Sequence, residues 1–301
     1  MRELDCWQRV VLWGGLDTQD SSRHIYRHFN SALTRLGKSV YWVPDDPASR
    51  EVLRPGSLVF AYNIWGAHLG AAVEGVDYLL HNFDISHPVF EELDTRHLVR
   101  LQVYTNEAVG ERILDSPVRL YEPENHVLHQ PWGTDLFAED FHPPFYNPEG
   151  DVAFVGAIWN TDGQGNPGAI EELKEAAAAY GLKFIHYTQI SDVENVTVVR
   201  AARLAPAIAG PWQVEHNYLP CRLFKNVSYG AFGLTNVPKF FDIVPHAFLP
   251  GASTIELLQY GLGLEGDAYH HRVLEQQRSV KCYTYRESLL SIAEAFERAR
   301  G

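Results

Sequence analysis

Apolar residues run in short continuous blocks along the first half of the chain and switch between two periods. Arg9 to Trp13, Ser39 to Val43 and Ser57 to Tyr62 are five- and six-residue runs of the kind that form buried strands. Between the first two, Ile25, Phe29, Ala32, Leu33 and Leu36 repeat at helical spacing from His24 to Leu36, and Gly37 supplies the stop. Strand, helix, strand with short joints is the unit of a parallel sheet. Further strands are expected at Asp77 to Phe83, Leu98 to Tyr104 and Val118 to Tyr121, with a helix from Asn106 to Leu114.

The pattern restarts after a proline-rich stretch, Phe141 to Gly150, which reads as a linker. Strands are expected at Asp151 to Val155, Leu182 to Tyr187 and Ala207 to Gly210. Helices are expected at Ala169 to Tyr180, Val196 to Leu204, Thr254 to Tyr260 and Glu287 to Ala299. Pro211 to Leu219 reads as a polar aromatic loop. Pro220 to Asn236 reads as helix, tight turn and buried strand, with Arg222 and Lys225 near the amino end of the helix, where unpaired N–H groups favour an anion. The alternative for these two cations is a buried helix with its lysine and arginine reaching out to solvent.

In open α/β sheets ligands bind beyond the carboxyl ends of the strands. That rule nominates Gly14, Gly15 and Asp17 after the first strand, Asn63 and Trp65 after the third, and Asp84 and His87 after the fourth. Each of these polar residues also suits a loop cap or a turn. His24 and His28 have the i, i+4 spacing of a metal pair but no Glu completing H-E-x-x-H, so a solvated helix face is expected there. Gly163, Gly165 and Gly168 satisfy G-x-G-x-x-G, yet the first lies seven residues beyond Gly156 rather than at a strand end. That placement argues against a dinucleotide site while leaving the following helix free to hold a phosphate. Asn226-Val-Ser-Tyr-Gly230 lacks the first glycine of a G-x-S-x-G elbow and follows a helix, which excludes a serine hydrolase of that type.

The segment Pro220-Cys-Arg-Leu-Phe-Lys-Asn-Val-Ser-Tyr-Gly-Ala-Phe-Gly-Leu-Thr235 resembles the carboxy-terminal signature of GT-B-fold glycosyltransferases through Pro220, Arg222, Leu223, Phe224, Gly230, Ala231, Phe232, Leu234 and Thr235. Pro131, Gly133 and Asp135 resemble that family's Pro-Asn-Gly-Val-Asp turn, and Thr284 and Tyr285 match part of a later motif. The chain departs from the family at Lys225 and Asn217, which stand where acidic residues hold the nucleotide ribose; a lysine there suits phosphate better.

The resemblance implies an α/β fold of two Rossmann-like, doubly wound domains facing each other across a cleft: 1–145 on the acceptor side, 146–285 binding the nucleotide-sugar, and 286–301 as a crossover helix. It implies a glycosyltransferase moving a sugar from a nucleotide diphosphate-sugar to an acceptor hydroxyl, with a nucleotide-sugar 2-epimerase or a non-catalytic nucleotide-sugar-binding protein as alternatives. On that reading Arg222, Lys225, Asn226, Gly156, Asn160, His216 and Tyr218 bind the donor, Gly15, Asn63 and Trp65 lie on the acceptor side, and Asp17, His87 or Asp84 is the catalytic base. No cofactor and no metal are expected, since no Asp-x-Asp occurs in the chain.

Composition narrows the partners. The 301 residues carry 25 Lys and Arg against 38 Asp and Glu, a formal charge of −13, which disfavours nucleic acid. The three cysteines, Cys6, Cys221 and Cys282, lack metal-type spacing and are expected to be reduced. No apolar run long enough to span a bilayer occurs, so a cytoplasmic protein without an integral membrane segment is expected.

Overall fold

The computed structural model describes residues 6–16, 22–103, 120–161 and 164–301. It is a mixed α/β protein that divides into two compact units. The described residues of the first are 6–16, 22–103, 120–130 and 285–301, and those of the second are 131–161 and 164–284.

The first unit is built on a seven-stranded sheet of order β2-β1-β3-β4-β5-β7-β6. Its strands are β1 (Arg9–Trp13), β2 (Ser39–Val43), β3 (Ser57–Tyr62), β4 (Asp77–His81), β5 (Leu98–Gln102), β6 (Leu120–Glu122) and β7 (Val127–His129). All neighbours are parallel except β6 and β7. Val11, Val59 and Tyr78 stand in register across three central strands, and all are buried. Continuous apolar runs form these strands because both faces of a parallel sheet are covered. Helix α1 (Ser22–Arg35) lays Tyr26, Phe29 and Leu33 into the core.

The carboxy-terminal helix of the chain (Tyr285–Arg300) belongs to this unit. It is fastened at the buried Asp77 carboxylate, which accepts from the Trp7 indole at 2.5 Å, from His97 Nδ1 at 2.7 Å and from Arg300. Phe296 of the same helix meets the Trp7 ring edge-on at 5.4 Å.

The second unit holds β8 (Val152–Val155) paired in parallel with β9 (Phe184–Tyr187). Its sheet continues through extended chain rather than regular ladder: Ala153 N donates to Leu204 O, Ala207 N to Leu234 O and Thr235 N to Ala247 O. The expected strand at 207–210 is thus an extended segment with irregular bonding. Around it lie α2 (Pro167–Ala179), α3 (Asp192–Ala201), α4 (Pro211–Glu215), α5 (Cys221–Ser228), α6 (Thr254–Leu262) and α7 (Gly266–Val280); the terminal helix of the first unit is α8. Phe154, Leu173, Ile208, Phe232, Leu258 and Val273 meet in one core.

Several expectations change. Pro211 to Glu215 is a short helix, not a loop, because Pro211 sits in the first turn and Gln213 Oε1 accepts from Gly210 N at 3.1 Å. Helix α3 begins at Asp192, earlier than its apolar residues suggest, because Ser191 and Glu194 form a capping box. His28 does not lie on a solvated face: it is buried with its ring 5.3 Å from Tyr285. The β7 strand was not among the expected strands, and the helix expected at 106–114 lies outside the described residues.

Candidate functional site

At the carboxyl edge of the first unit the sequence candidates are taken up by packing. Gly14 and Gly15 have φ of +83° and +67°, and a Cβ on Gly14 would overlap the Cβ of Trp65. The Trp65 ring lies over Gly15 and meets Tyr26 edge-on at 5.1 Å; the residue is buried. Asn63 is exposed, and its carbonyl accepts from Gly66 N.

His87 caps the 3-10 turn at Pro88–Phe90: Nδ1 accepts from Val89 N at 3.1 Å, which assigns the proton to Nε2, donating to Gly66 O at 3.1 Å. A ring bonded at both nitrogens is spent on holding the loops after β3 and β4 together. Asp84 is an exposed loop cap accepting from Ser86 N at 2.8 Å, and the Ser86 hydrogen bonds lower its carboxyl from the ordinary value. Asp17 lies outside the described residues.

In the second unit, Arg222 lies across the carboxyl ends of two extended segments. Its Nε donates to Val155 O at 2.5 Å and Nη1 to Ile208 O at 3.4 Å, while the guanidinium stacks 4.0 Å over Phe154 and packs against Gly156. The φ of +146° at Gly156 and the space taken by the guanidinium both require glycine there. Burial pulls the Arg222 guanidinium below its ordinary value, and no carboxylate among the described residues pairs with it.

Lys225 does not reach solvent: it is buried, 3.8 Å from the Asp135 carboxylate, which also accepts from the Tyr229 hydroxyl at 2.7 Å. Burial, then the Asp135 charge, push that phenol well above its ordinary value. Asn226 is buried, with Nδ2 donating to Ala205 O. His216 stacks on Trp212 with centroids 4.1 Å apart, and Tyr218 N donates to Gln213 O at 2.9 Å.

An open groove of about 520 Å³ lies at this same carboxyl edge. One wall is the first turn of α2, Pro167 to Ala169, continued by Glu172; the other is Ala209, Pro211 and Val214, with Asn160 and Asn236 at the rim. The wall is rigidly built. Asn236 accepts from Ala209 N and donates to Ala209 O, both at 2.8 Å. A Cβ on Gly210 would overlap the Gly165 carbonyl, so two backbones touch there. Asn166 precedes α2 but does not cap it: its side chain accepts from Trp159 N at 3.0 Å and donates to Ala157 O at 3.2 Å. The first-turn residues Gly168 and Ala169 line the groove, and their amides have no side-chain cap.

Of the sequence candidates, Asn160 alone lines the groove; Arg222 reaches Ile208 O, next to Ala209 of the wall, and Gly156 packs against Arg222. Glu172 and Asn236 carried no motif. The one available signal was the Gly165-Asn-Pro-Gly168 run, because Pro-Gly at a helix start leaves the first amides open.

No family model and no curated protein matches the chain. Among solved structures, the N-terminal domain of Candida albicans trehalose-6-phosphate phosphatase superposes with a TM-score of 0.55 at 9% identity, covering 97% of each chain. At that identity the likeness shows an α/β fold and nothing finer. It overturns the expected glycosyltransferase together with its epimerase and nucleotide-sugar-binding alternatives: the neighbour is named as part of a phosphatase, and Lys225, one of the two cations expected on a diphosphate, is committed to Asp135. Among the described residues no helix is long and apolar enough to cross a membrane.

Proposed function

We propose that the groove of the second unit binds a phosphorylated sugar, with the phosphate on the amino end of α2 and the sugar along the wall that carries Glu172. The observation that carries this reading is the first turn of α2, which lines the groove and has no side-chain cap, with Arg222, a guanidinium without a carboxylate partner among the described residues, bonded to Ile208 O one residue from the groove wall at Ala209. Both features favour an anion, and charge-assisted hydrogen bonds from two amides contribute about 1.5–3 kcal/mol each. The neighbour's substrate name, trehalose-6-phosphate, supplies the first ligand to try.

Arg222, Gly156 and Asn160 are the sequence candidates retained here, with Asn226, His216 and Tyr218 as the frame behind them. Two Rossmann-like domains and a cytoplasmic setting belong to the same proposal, as does binding without a metal, since the amino end of α2 and the positive charge of Arg222 behind the groove wall both favour an anion.

Calorimetric titration with trehalose 6-phosphate, glucose 6-phosphate, inorganic phosphate and trehalose, in chelator and then in Mg²⁺, tests it. The phosphorylated ligands bind in chelator, and trehalose binds at least tenfold more weakly than its phosphate. Equal affinity for trehalose and its phosphate, or no binding of any phosphate, overturns the reading.

A further inference from the structure

Glu172 is the one ionisable side chain among the described residues that line the groove, and the groove wall carries no lysine or arginine. It stands four residues after Gly168, on the same face of α2 and one turn further in, about 6 Å along the axis. The residue is exposed, and its carboxylate has a single weak contact, 3.4 Å from the Thr254 hydroxyl. It lies outside the frame that builds the groove and is free to take a ligand.

The two ends of the groove therefore differ in chemistry. Gly168 and Ala169 offer only donors, suited to phosphate oxygens. Glu172 offers only acceptors, two oxygens in the geometry that receives a pair of neighbouring hydroxyls, and its charge opposes any second anionic group. Resting on the phosphate-binding reading above, we infer that Glu172 sets the specificity of this groove: it selects ligands carrying one phosphate and a vicinal diol about one helical turn away, and it rejects bisphosphates. Sugar monophosphates meet both conditions; inorganic phosphate lacks the diol, and sugar bisphosphates place charge where the carboxylate stands.

The test uses the full chain and Glu172→Gln, an exposed substitution that keeps the side chain's shape. Inorganic phosphate, glucose 6-phosphate and glucose 1,6-bisphosphate are titrated against both proteins. In the parent, glucose 6-phosphate binds at least tenfold tighter than either of the others. In Glu172→Gln, the preference for glucose 6-phosphate over inorganic phosphate falls about tenfold, the loss expected when charge-assisted hydrogen bonds become neutral ones, and the bisphosphate approaches the monophosphate. Inorganic phosphate itself binds the variant equally well or up to about threefold better, because a like charge about 6 Å away has gone. If inorganic phosphate binds but both preferences are the same in the two proteins, Glu172 does not set specificity and the phosphate reading stands. If inorganic phosphate fails to bind the parent, the phosphate reading falls and this inference falls with it.

Discussion

The two units present the same topological edge, the carboxyl ends of parallel extended chain, and finish it in opposite ways. In the first, Trp65 lies on Gly14 and Gly15, and His87 spends both ring nitrogens on the loops after β3 and β4. In the second, Asn166 turns its side chain back to Ala157 and Trp159, leaving the first turn of α2 open beside the groove. The strand-end rule says where a ligand has room to bind; the loop side chains decide whether that room survives packing.

Acidification separates the units most strongly. Burial pushes His81 and His129, both in the first unit, down to about 4. In the unfolded chain each takes a proton near pH 6.5. Stability is thus unaffected above that pH and falls between about 6.5 and 4, by about 2 kcal/mol per histidine at pH 5. In the second unit, hydrogen bonds from Ser191 and Ser253 lower the carboxyls of Glu194 and Glu256, so their contribution is lost only as pH falls through the carboxylate range. Hydrogen exchange at pH 7.5 and 5 should show protection lost in β4 and β7 before β8; simultaneous loss would erase the distinction.

Gly14→Ala should cost about 3 kcal/mol, combining an unfavourable positive φ with overlap at Trp65. Urea unfolding followed by tryptophan fluorescence measures it, and an unchanged midpoint would show that the first edge is not closed by this contact. Gln276→Leu should cost about 2–3 kcal/mol in the second unit, because Gln276 accepts from Gly233 N at 2.8 Å and donates to Gly233 O and Pro245 O in a buried site. Its unfolding midpoint in urea is the check. His87→Ala should be the mildest, about 1 kcal/mol with phosphate affinity unaltered; a tenfold loss of affinity would return that residue to the binding site.

Gln276 also shows why part of the fold was illegible. Helix α7 was missed because its buried face reads Tyr269, Val273, Gln276, Gln277 and Val280, with two glutamines where periodicity looks for apolar residues. Gln277 donates to His142 O and Val227 O, so both amides are buried by bonding rather than by apolarity. Six of the seven strands of the first sheet were legible, with ends displaced by up to two residues, because parallel strands covered on both faces must be apolar throughout; β7, only three residues long, was not.

The site was less legible, for a related reason. A strand-end rule reaches Gly14, Gly15 and Trp65 together but says nothing of the indole filling the space above the glycines. The family signature at Pro220 to Thr235 marks real structure: Phe224, Phe232 and Leu234 are core, and Thr235 donates to Ala207 O at 2.8 Å. Those residues build the frame of an α/β unit and carry no chemistry of their own. Glu172 and Asn236 acquire meaning only when α2 and the Ala209 segment are brought face to face.

Selective ¹⁵N-glycine labelling gives the most direct measurement, because glycines lie at both edges. Titration with trehalose 6-phosphate should shift the Gly168 amide, with smaller shifts at Gly165 and Gly210, and leave Gly14, Gly15 and Gly66 in place. A Cβ at Gly168 meets nothing within 4 Å, so Gly168→Asp should fold normally, place a carboxylate on the anion's position and weaken binding at least tenfold. Shifts confined to Gly14, Gly15 and Gly66, or full affinity in Gly168→Asp, would contradict the assignment of the binding site to the second unit.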